Sequence, residues 1–477
     1  MRTKLVCTLG PSTDNENTLR DIIVAGMNVA RLNFSHGTHA DHARRIVLVR
    51  QISTEMQRPV TLMGDLQGPK FRVGDLPAAG IMLTKNQEVV LTSAPNGNGI
   101  PFPHEAVLHA CLPGQKLLID DGNLVLETLG PIDQNNKLRT RVLVGGLLTS
   151  RKGVSAPGTL IEVSSLTPKD REDVDFAVQQ KLDALALSFV QRAADVLELR
   201  DLLKRLGANP LIVSKIEKPQ AIQDLANIIQ HSDAIMVARG DLGVESAPED
   251  VPFHQKNIIR SCLQAGVPVI TATQMLQSMV HAPTPTRAEA SDVANAVLDG
   301  SDAVMLSAET ASGEYPIESV QTLARIAKRA EDSAIARDGF FEQPSFLEFH
   351  GMPAPDLATD AITQAAVRVA HEVGAKAIVC TTSSGFSARM VARHRPDIPI
   401  IGVTPNERAF RYSAFMWGVQ LVMEPLITST DDLFEKAAQV AQRCQCAAPG
   451  DTIVITAGVP MGGGAGHTNL IKVHTCR

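Results

Sequence analysis

Two short apolar runs end in residues that bind cations and anions. Leu211–Ser214 leads into Lys215-Ile216-Glu217, and Ala234–Ala238 leads into Arg239-Gly240-Asp241. Glu217 and Asp241 offer hard carboxylate oxygens from neighbouring segments. Magnesium typically takes one or two carboxylates and leaves its other positions to water and substrate. Other runs end alike: one in Arg31-Leu32-Asn33-Phe34-Ser35-His36-Gly37, one in Asp65 with Arg72 following, one in Thr271-Ala272-Thr273 and one in Ser307-Ala308-Glu309. Arg31, Arg72 and Lys215 supply positive charge, two of them as planar forks that suit phosphate. The set fits an anionic substrate with Mg2+ or Mn2+, and phosphoryl transfer, which needs positioning and charge neutralisation more than a nucleophilic side chain. No Gly-x-x-x-x-Gly-Lys-Ser/Thr loop and no protein-kinase motif set occurs in the chain.

Each residue also has an ordinary explanation. A lone Lys or Arg after a strand is usually a solvated loop charge. Ser307 and Thr273 could be helix caps, and Glu217 and Asp241 could be ion-pair partners of Lys215 and Arg239. The recurrence of such groups at the ends of separate runs favours a shared site.

The positioning elements are legible in the pattern. Eight apolar runs, Leu5–Thr8, Met27–Leu32, Val60–Met63, Ala184–Leu187, Leu211–Ser214, Ala234–Ala238, Pro268–Ala272 and Ala303–Leu306, alternate with eight amphipathic stretches. This alternation predicts an α/β (β/α)8 TIM barrel, whose parallel strands are buried on both faces and whose C-terminal strand ends form the site. An open doubly wound sheet would show about five or six strands. The rhythm breaks at residues 69–165, where Gln87–Thr92, Lys116–Ile119, Leu124–Leu129 and Lys137–Val144 read as strands without helical periodicity. This predicts a small inserted β-barrel lid domain over the barrel mouth. The barrel is therefore expected over 1–68 and 166–340, and a C-terminal α/β regulatory domain over 341–477, entered through a linker at Arg337–Pro355.

With 477 residues, two or three domains are expected. A net charge of −6 and 4% aromatic residues argue against nucleic-acid binding. No apolar run approaches the ~18 residues of a membrane span. The seven cysteines form no Cys-x-x-Cys pair; scattered thiols and the lack of a secretory leader predict a cytoplasmic protein.

Several segments resemble the pyruvate kinase family, over essentially the whole chain. They include Met27-Asn-Val-Ala-Arg-Leu-Asn-Phe-Ser-His-Gly37, Ser214-Lys-Ile-Glu217, Ala238-Arg-Gly-Asp-Leu-Gly243, Thr271-Ala-Thr-Gln-Met-Leu276 and the run from Pro285 to Gly300. The resemblance implies transfer of a phosphoryl group from phosphoenolpyruvate to ADP, giving pyruvate and ATP. It implies that Lys215 stabilises the transferring group, that Glu217 and Asp241 hold the metal, and that Arg31, Gly240, Asp241, Thr273 and Ser307 lie on the phosphoenolpyruvate side. Asn33, His36, Arg72 and Lys169 would lie on the nucleotide side, and a homotetramer is the family habit. Two other classes fit less well. A magnesium-dependent lyase would not need the nucleotide side or the lid, and a non-catalytic effector-binding protein would be expected to have lost Lys215 or a carboxylate.

The segment Asp65-Leu66-Gln67-Gly68-Pro69-Lys70 departs from the commoner family pattern. Leu66 stands where potassium-dependent members usually carry Thr, and Lys70 where they carry Glu. Activity without K+ is expected, with the Lys70 ammonium replacing a cation that would otherwise sit among Asn33, Ser35 and Asp65. In the C-terminal domain, Thr381, Thr382, Ser383, Ser384, Gly385 and Ser387 surround a helix start, a pattern suited to a phosphate. The resemblance implies a phosphorylated activator there. Gly458–Gly466 has no Arg or Lys, which favours a monophosphate, a sugar monophosphate or AMP, over fructose 1,6-bisphosphate.

Overall fold

The computed structural model describes residues 1–94, 98–159, 161, 163–335, 357–427, 429–459 and 467–477. Eight parallel strands close into a barrel in chain order: Lys4–Thr8, Met27–Asn33, Thr61–Asp65, Ala184–Leu187, Leu211–Ile216, Ala234–Ala238, Val269–Ala272 and Ala303–Leu306. Closure joins the eighth strand to the first, with Lys4 beside Ala303 and Cys7 beside Leu306. Strands three to eight are buried at every residue, as a sheet covered on both faces requires. The seventh expected run begins one residue later than read, at Val269. The helix read over Gln220–Gln230 is two helices, Pro219–Gln223 and Leu225–His231. Between them the Asp224 carboxylate turns aside to accept the backbone N–H of Ala193 at 2.8 Å. A helix, Arg239–Glu245, follows strand six with no intervening loop and carries Asp241 in its first turn.

The insertion folds as a six-stranded sheet and a two-stranded one around its own apolar core, which includes Leu91, Phe102, Leu117, Leu126 and Val142. One helix, Glu105–Ala110, interrupts the β structure; six residues are too few to register as a periodic pattern. The C-terminal unit is a five-stranded sheet in which Leu470–Thr475 runs antiparallel at one edge. Its other edge, Val419–Met423, escaped the sequence reading because only one of its faces is buried. The expected linker at Arg337–Pro355 lies outside the described residues.

The C-terminal unit covers the N-terminal end of the barrel. Barrel-interior residues Val6, Val29 and Met63 share one buried cluster with Tyr412, Phe415 and Met416. Around this apolar plug lies a repeated polar device. Asp183, Asp233 and Asp302 immediately precede strands four, six and eight. Each carboxylate accepts an N–H from the start of the preceding strand: Leu62 at 2.8 Å, Ile212 at 2.9 Å and Val269 at 3.0 Å. In the remaining quarter Asn28 accepts the N–H of Leu5 at 2.9 Å. Each aspartate also meets an arginine of the C-terminal unit. Arg395 lies 2.9 Å from Asp302, Arg408 3.0 Å from Asp233, and Arg411 3.7 Å from Asp183.

Candidate active site

The opposite, C-terminal strand ends bring four of the expected residues into one buried network. Arg31, from strand two, donates through Nε to Asp65 Oδ2 at 2.6 Å and through Nη1 to Thr8 Oγ1 at 2.9 Å. Lys215 Nζ donates to Ser188 Oγ at 2.7 Å and lies 3.2 Å from Asp65 Oδ1 and 2.9 Å from Glu217 Oε1. Glu217 Oε2 accepts the backbone N–H of Phe189 at 2.7 Å. All four side chains are buried, so charge interactions here are screened far less than at the surface.

The charges set one another's state. Burial alone would raise the Asp65 carboxyl, but Arg31 and Lys215 hold it below its ordinary value. Burial works against the Lys215 ammonium, yet Asp65 and Glu217 outweigh it and the amine stays protonated well above its ordinary value. Glu217 is pushed up, first by burial; the Lys215 charge opposes this and the neighbouring Asp241 charge adds to it. Two carboxylates thus share one pocket, which costs free energy unless a cation enters.

The donor set fits a divalent metal. Glu217 Oε1 is buried and faces the Lys215 ammonium at 2.9 Å. It keeps a lone pair for a hard cation, with the Asp241 charge beside it. Arg239, which the sequence offered as a partner for Asp241, instead pairs with Asp292 at 2.7 Å, and Asp241 forms no ion pair with any described residue.

Gly240 and Thr273 meet directly, Gly240 N donating to Thr273 Oγ1 at 2.8 Å. Thr273 has φ 66°, a left-handed conformation that strains a β-branched residue. Arg239 holds that turn by donating to the Thr273 carbonyl at 2.7 Å. Ser307 starts a short helix at the end of strand eight, and its N–H is taken by Glu309 Oε2 at 2.7 Å.

On the rim, Asn33 Oδ1 accepts the N–H of Ser35 at 3.1 Å, and Lys169 Nζ donates to the Phe34 carbonyl at 2.9 Å. His36 is exposed. Arg72 and Lys70, both exposed, line a cleft of about 320 Å3 between lid and barrel with Arg151, Lys152, Lys218 and Asp241. Lys70 makes no hydrogen bond or ion pair with Asn33, Ser35 or Asp65, whose carboxylate is occupied by Arg31 and Lys215. Leu66 is buried in the barrel core.

The hydroxyl-rich loop of the C-terminal unit leads into a seven-residue helix, Phe386–Ala392, with Gly385 at φ 84°. Ser387 is buried, its hydroxyl 2.7 Å from Thr468 Oγ1. Ser384 Oγ accepts the N–H of Phe386 at 3.4 Å. The hydroxyls of Thr381, Thr382 and Ser383 make no hydrogen bond with any described residue. Most of Gly458–Gly466 lies outside the described residues.

Sequence reasoning missed Ser188 and Phe189, at the end of strand four. The Ser188 hydroxyl donates to the Leu66 carbonyl at 2.6 Å while accepting from Lys215. Phe189, at φ 55°, presents its N–H to Glu217. The strand-end rule that found the other residues points here too, but a Ser-Phe pair carries no charge to draw the eye.

Models of known families match the chain over most of its length: the pyruvate kinase barrel domain over residues 1–320 and the pyruvate kinase alpha/beta domain over 360–474. A pyruvate kinase of Geobacillus stearothermophilus is 43% identical over 479 residues, 99% of this chain and 80% of the relative. One of Agrobacterium vitis is 43% identical, covering 99% and 96%. The crystal structure of a pyruvate kinase from Cryptosporidium parvum superposes with a TM-score of 0.91 at 35% identity, covering 100% of this chain and 96% of that one. A closed barrel with buried cations and carboxylates converging at its mouth, and relatives matched over nearly the whole chain, together establish that the chain belongs to the pyruvate kinase family and transfers the phosphoryl group of phosphoenolpyruvate to ADP.

Proposed function

We propose that Lys215 neutralises charge on the phosphoryl group in flight and that Glu217 and Asp241 hold Mg2+ beside it. The observation that carries this reading is the buried Lys215 ammonium set against Glu217, whose Oε1 has a lone pair to give. The metal, when bound, supplies charge neutralisation at phosphoryl and enolate oxygens. Arg31, anchored by Asp65 and Thr8, offers its remaining N–H groups to a phosphate oxygen. Gly240 and Thr273 flank the enolpyruvate, with the Thr273 hydroxyl near the carbon that takes up a proton, and Ser307 closes that side. Asn33, His36, Arg72 and Lys169 receive ADP from the rim, with the lid excluding water.

The enzyme works without K+. Leu66 supports this, because its side chain is apolar and buried and offers no oxygen to a monovalent ion. Lys70 stands at the lid hinge, where closure would carry its ammonium toward Asn33, Ser35 and Asp65. One assay matrix tests both points. In K+-free and NH4+-free buffer, pyruvate formation should rise with Mg2+ for the wild type. The Mg2+ response should shift to much higher concentration in Glu217→Gln and Asp241→Asn. Unchanged titrations would put the metal elsewhere, and strict dependence on added K+ would refute the lysine substitute.

The Thr381–Ser387 loop takes the phosphate of an activator, a sugar monophosphate or AMP, and couples to the barrel in a cytoplasmic homotetramer. Such coupling is typically about 1–3 kcal/mol. Phosphoenolpyruvate saturation curves should shift left with the activator in the wild type and much less in Ser384→Asp. No shift with any phosphorylated metabolite would make the loop purely structural.

A further inference from the structure

The three aspartate–arginine contacts beneath the barrel are not equivalent. Two are closed, at 2.9 and 3.0 Å; the Asp183–Arg411 contact stands at 3.7 Å. The Arg411 Nε–H makes no hydrogen bond, and its Nη2 rests 3.4 Å from the exposed Glu407. A cavity of about 790 Å3 opens at this corner. Its floor is partly apolar, with Val60, Leu62 and Leu182, and its walls hold four cations, Arg50, Lys181, Arg408 and Arg411, against two carboxylates, Asp183 and Glu407.

Two of these cations, Arg50 and Lys181, have no carboxylate partner among the described residues, whereas Arg408 pairs with Asp233 and Arg411 with Glu407. Arg50 spends one Nη2 on the carbonyls of Gln180 and Lys181, at 2.7 and 2.9 Å, and pairs with no carboxylate of a described residue. Lys181, held at φ 52°, likewise forms no ion pair among the described residues. A planar fork beside an exposed ammonium suits a tetrahedral dianion, with the apolar floor left for a small organic body.

We propose that this cavity is a second binding site for a phosphate monoester, separate from the Thr381–Ser387 loop. Its occupant bridges Arg50 and Lys181 to Arg411 and so joins the barrel to the C-terminal unit. The link to chemistry is short. Asp183 holds the start of strand three through Leu62 and directly precedes strand four. The far ends of these strands carry Asp65 and Ser188, which hold Arg31 and Lys215. A ligand that draws Arg411 away from Asp183, or fixes it there, biases the two strands that orient the phosphoryl-binding cations.

The test uses β-glycerophosphate as the probe, titrated calorimetrically into the full-length enzyme. Mg2+, ATP and oxalate, a small planar dianion shaped like enolpyruvate and carrying no phosphate, are kept saturating, so that the catalytic site is filled and no turnover occurs. Three proteins are compared: the wild type, Ser384→Asp, and the double variant Arg50→Glu/Lys181→Glu, whose exposed positions leave folding intact as checked by its thermal melt. The proposal expects binding in the wild type and in Ser384→Asp, and at least a tenfold loss of affinity in the double variant. It also expects the probe to shift the phosphoenolpyruvate saturation midpoint of Ser384→Asp. Affinity unchanged in the double variant, binding lost in Ser384→Asp alone, or no binding to the wild type would each overturn it.

Discussion

At the residue scale, the site depends on a few buried groups that hold charge in place. Arg31, Asp65, Lys215 and Glu217 form an alternating chain of positive and negative groups, and preorganised charge of this kind needs no rearrangement when the phosphoryl group moves. Ser188 is the neutral member of that chain. Its hydroxyl donates a hydrogen bond to the Leu66 carbonyl and accepts one from Lys215. Ser188→Ala would leave the ammonium with only its carboxylate partners, free to lean toward Asp65 or Glu217. A hydrogen bond to a charged group is worth about 1.5–3 kcal/mol, so kcat should fall roughly tenfold or more while the KM for phosphoenolpyruvate moves less. Steady-state kinetics decide it, and an unchanged kcat would reduce Ser188 to packing. Among the functional residues, the charged ones were legible from type and position. Ser188 and Phe189 were not, because their importance lies in a hydroxyl and an N–H whose partners only the fold supplies.

At the element scale, the barrel is read and held at opposite ends. The eight strands and their order were legible because burial on both faces leaves short apolar runs, and because each is followed by an amphipathic helix. What escaped were elements defined by few residues or one face: Glu105–Ala110, Arg239–Glu245 and Val419–Met423. The aspartate–arginine contacts were also invisible, since partners such as Asp302 and Arg395 are far apart in the chain. They should differ in strength. Arg395 and Asp302 are both nearly buried, and breaking a buried pair by removing one partner costs about 3–5 kcal/mol. Arg411 and Asp183 are looser and more exposed, where such a pair is worth about 0–1 kcal/mol. Urea unfolding should therefore show a large loss of stability for Arg395→Met and a small one for Arg411→Met. Equal effects would mean that the closed and open corners are not mechanically distinct.

At the scale of the whole molecule, the chain divides its tasks among three bodies. The inserted β domain has its own core and faces the cleft at the barrel mouth with Arg72 and Lys70. The C-terminal unit shares a core with the barrel interior at the other end. The three-part layout followed from the break in strand–helix rhythm and from the late return of an α/β pattern. How the parts meet did not, because interdomain contacts leave no periodic trace. The central claim concerns the barrel mouth: Lys215 acts on the phosphoryl group as it moves and matters less for holding the substrate. The most direct measurement compares the wild type with Lys215→Ala, following pyruvate and ATP formed from phosphoenolpyruvate and ADP at saturating Mg2+, with phosphoenolpyruvate affinity measured separately at equilibrium. Loss of one preorganised stabiliser of developing charge typically costs about 10²–10³ in rate. The account predicts at least that fall in kcat with substrate affinity changed far less, whereas a variant that turns over at near the wild-type rate would contradict it.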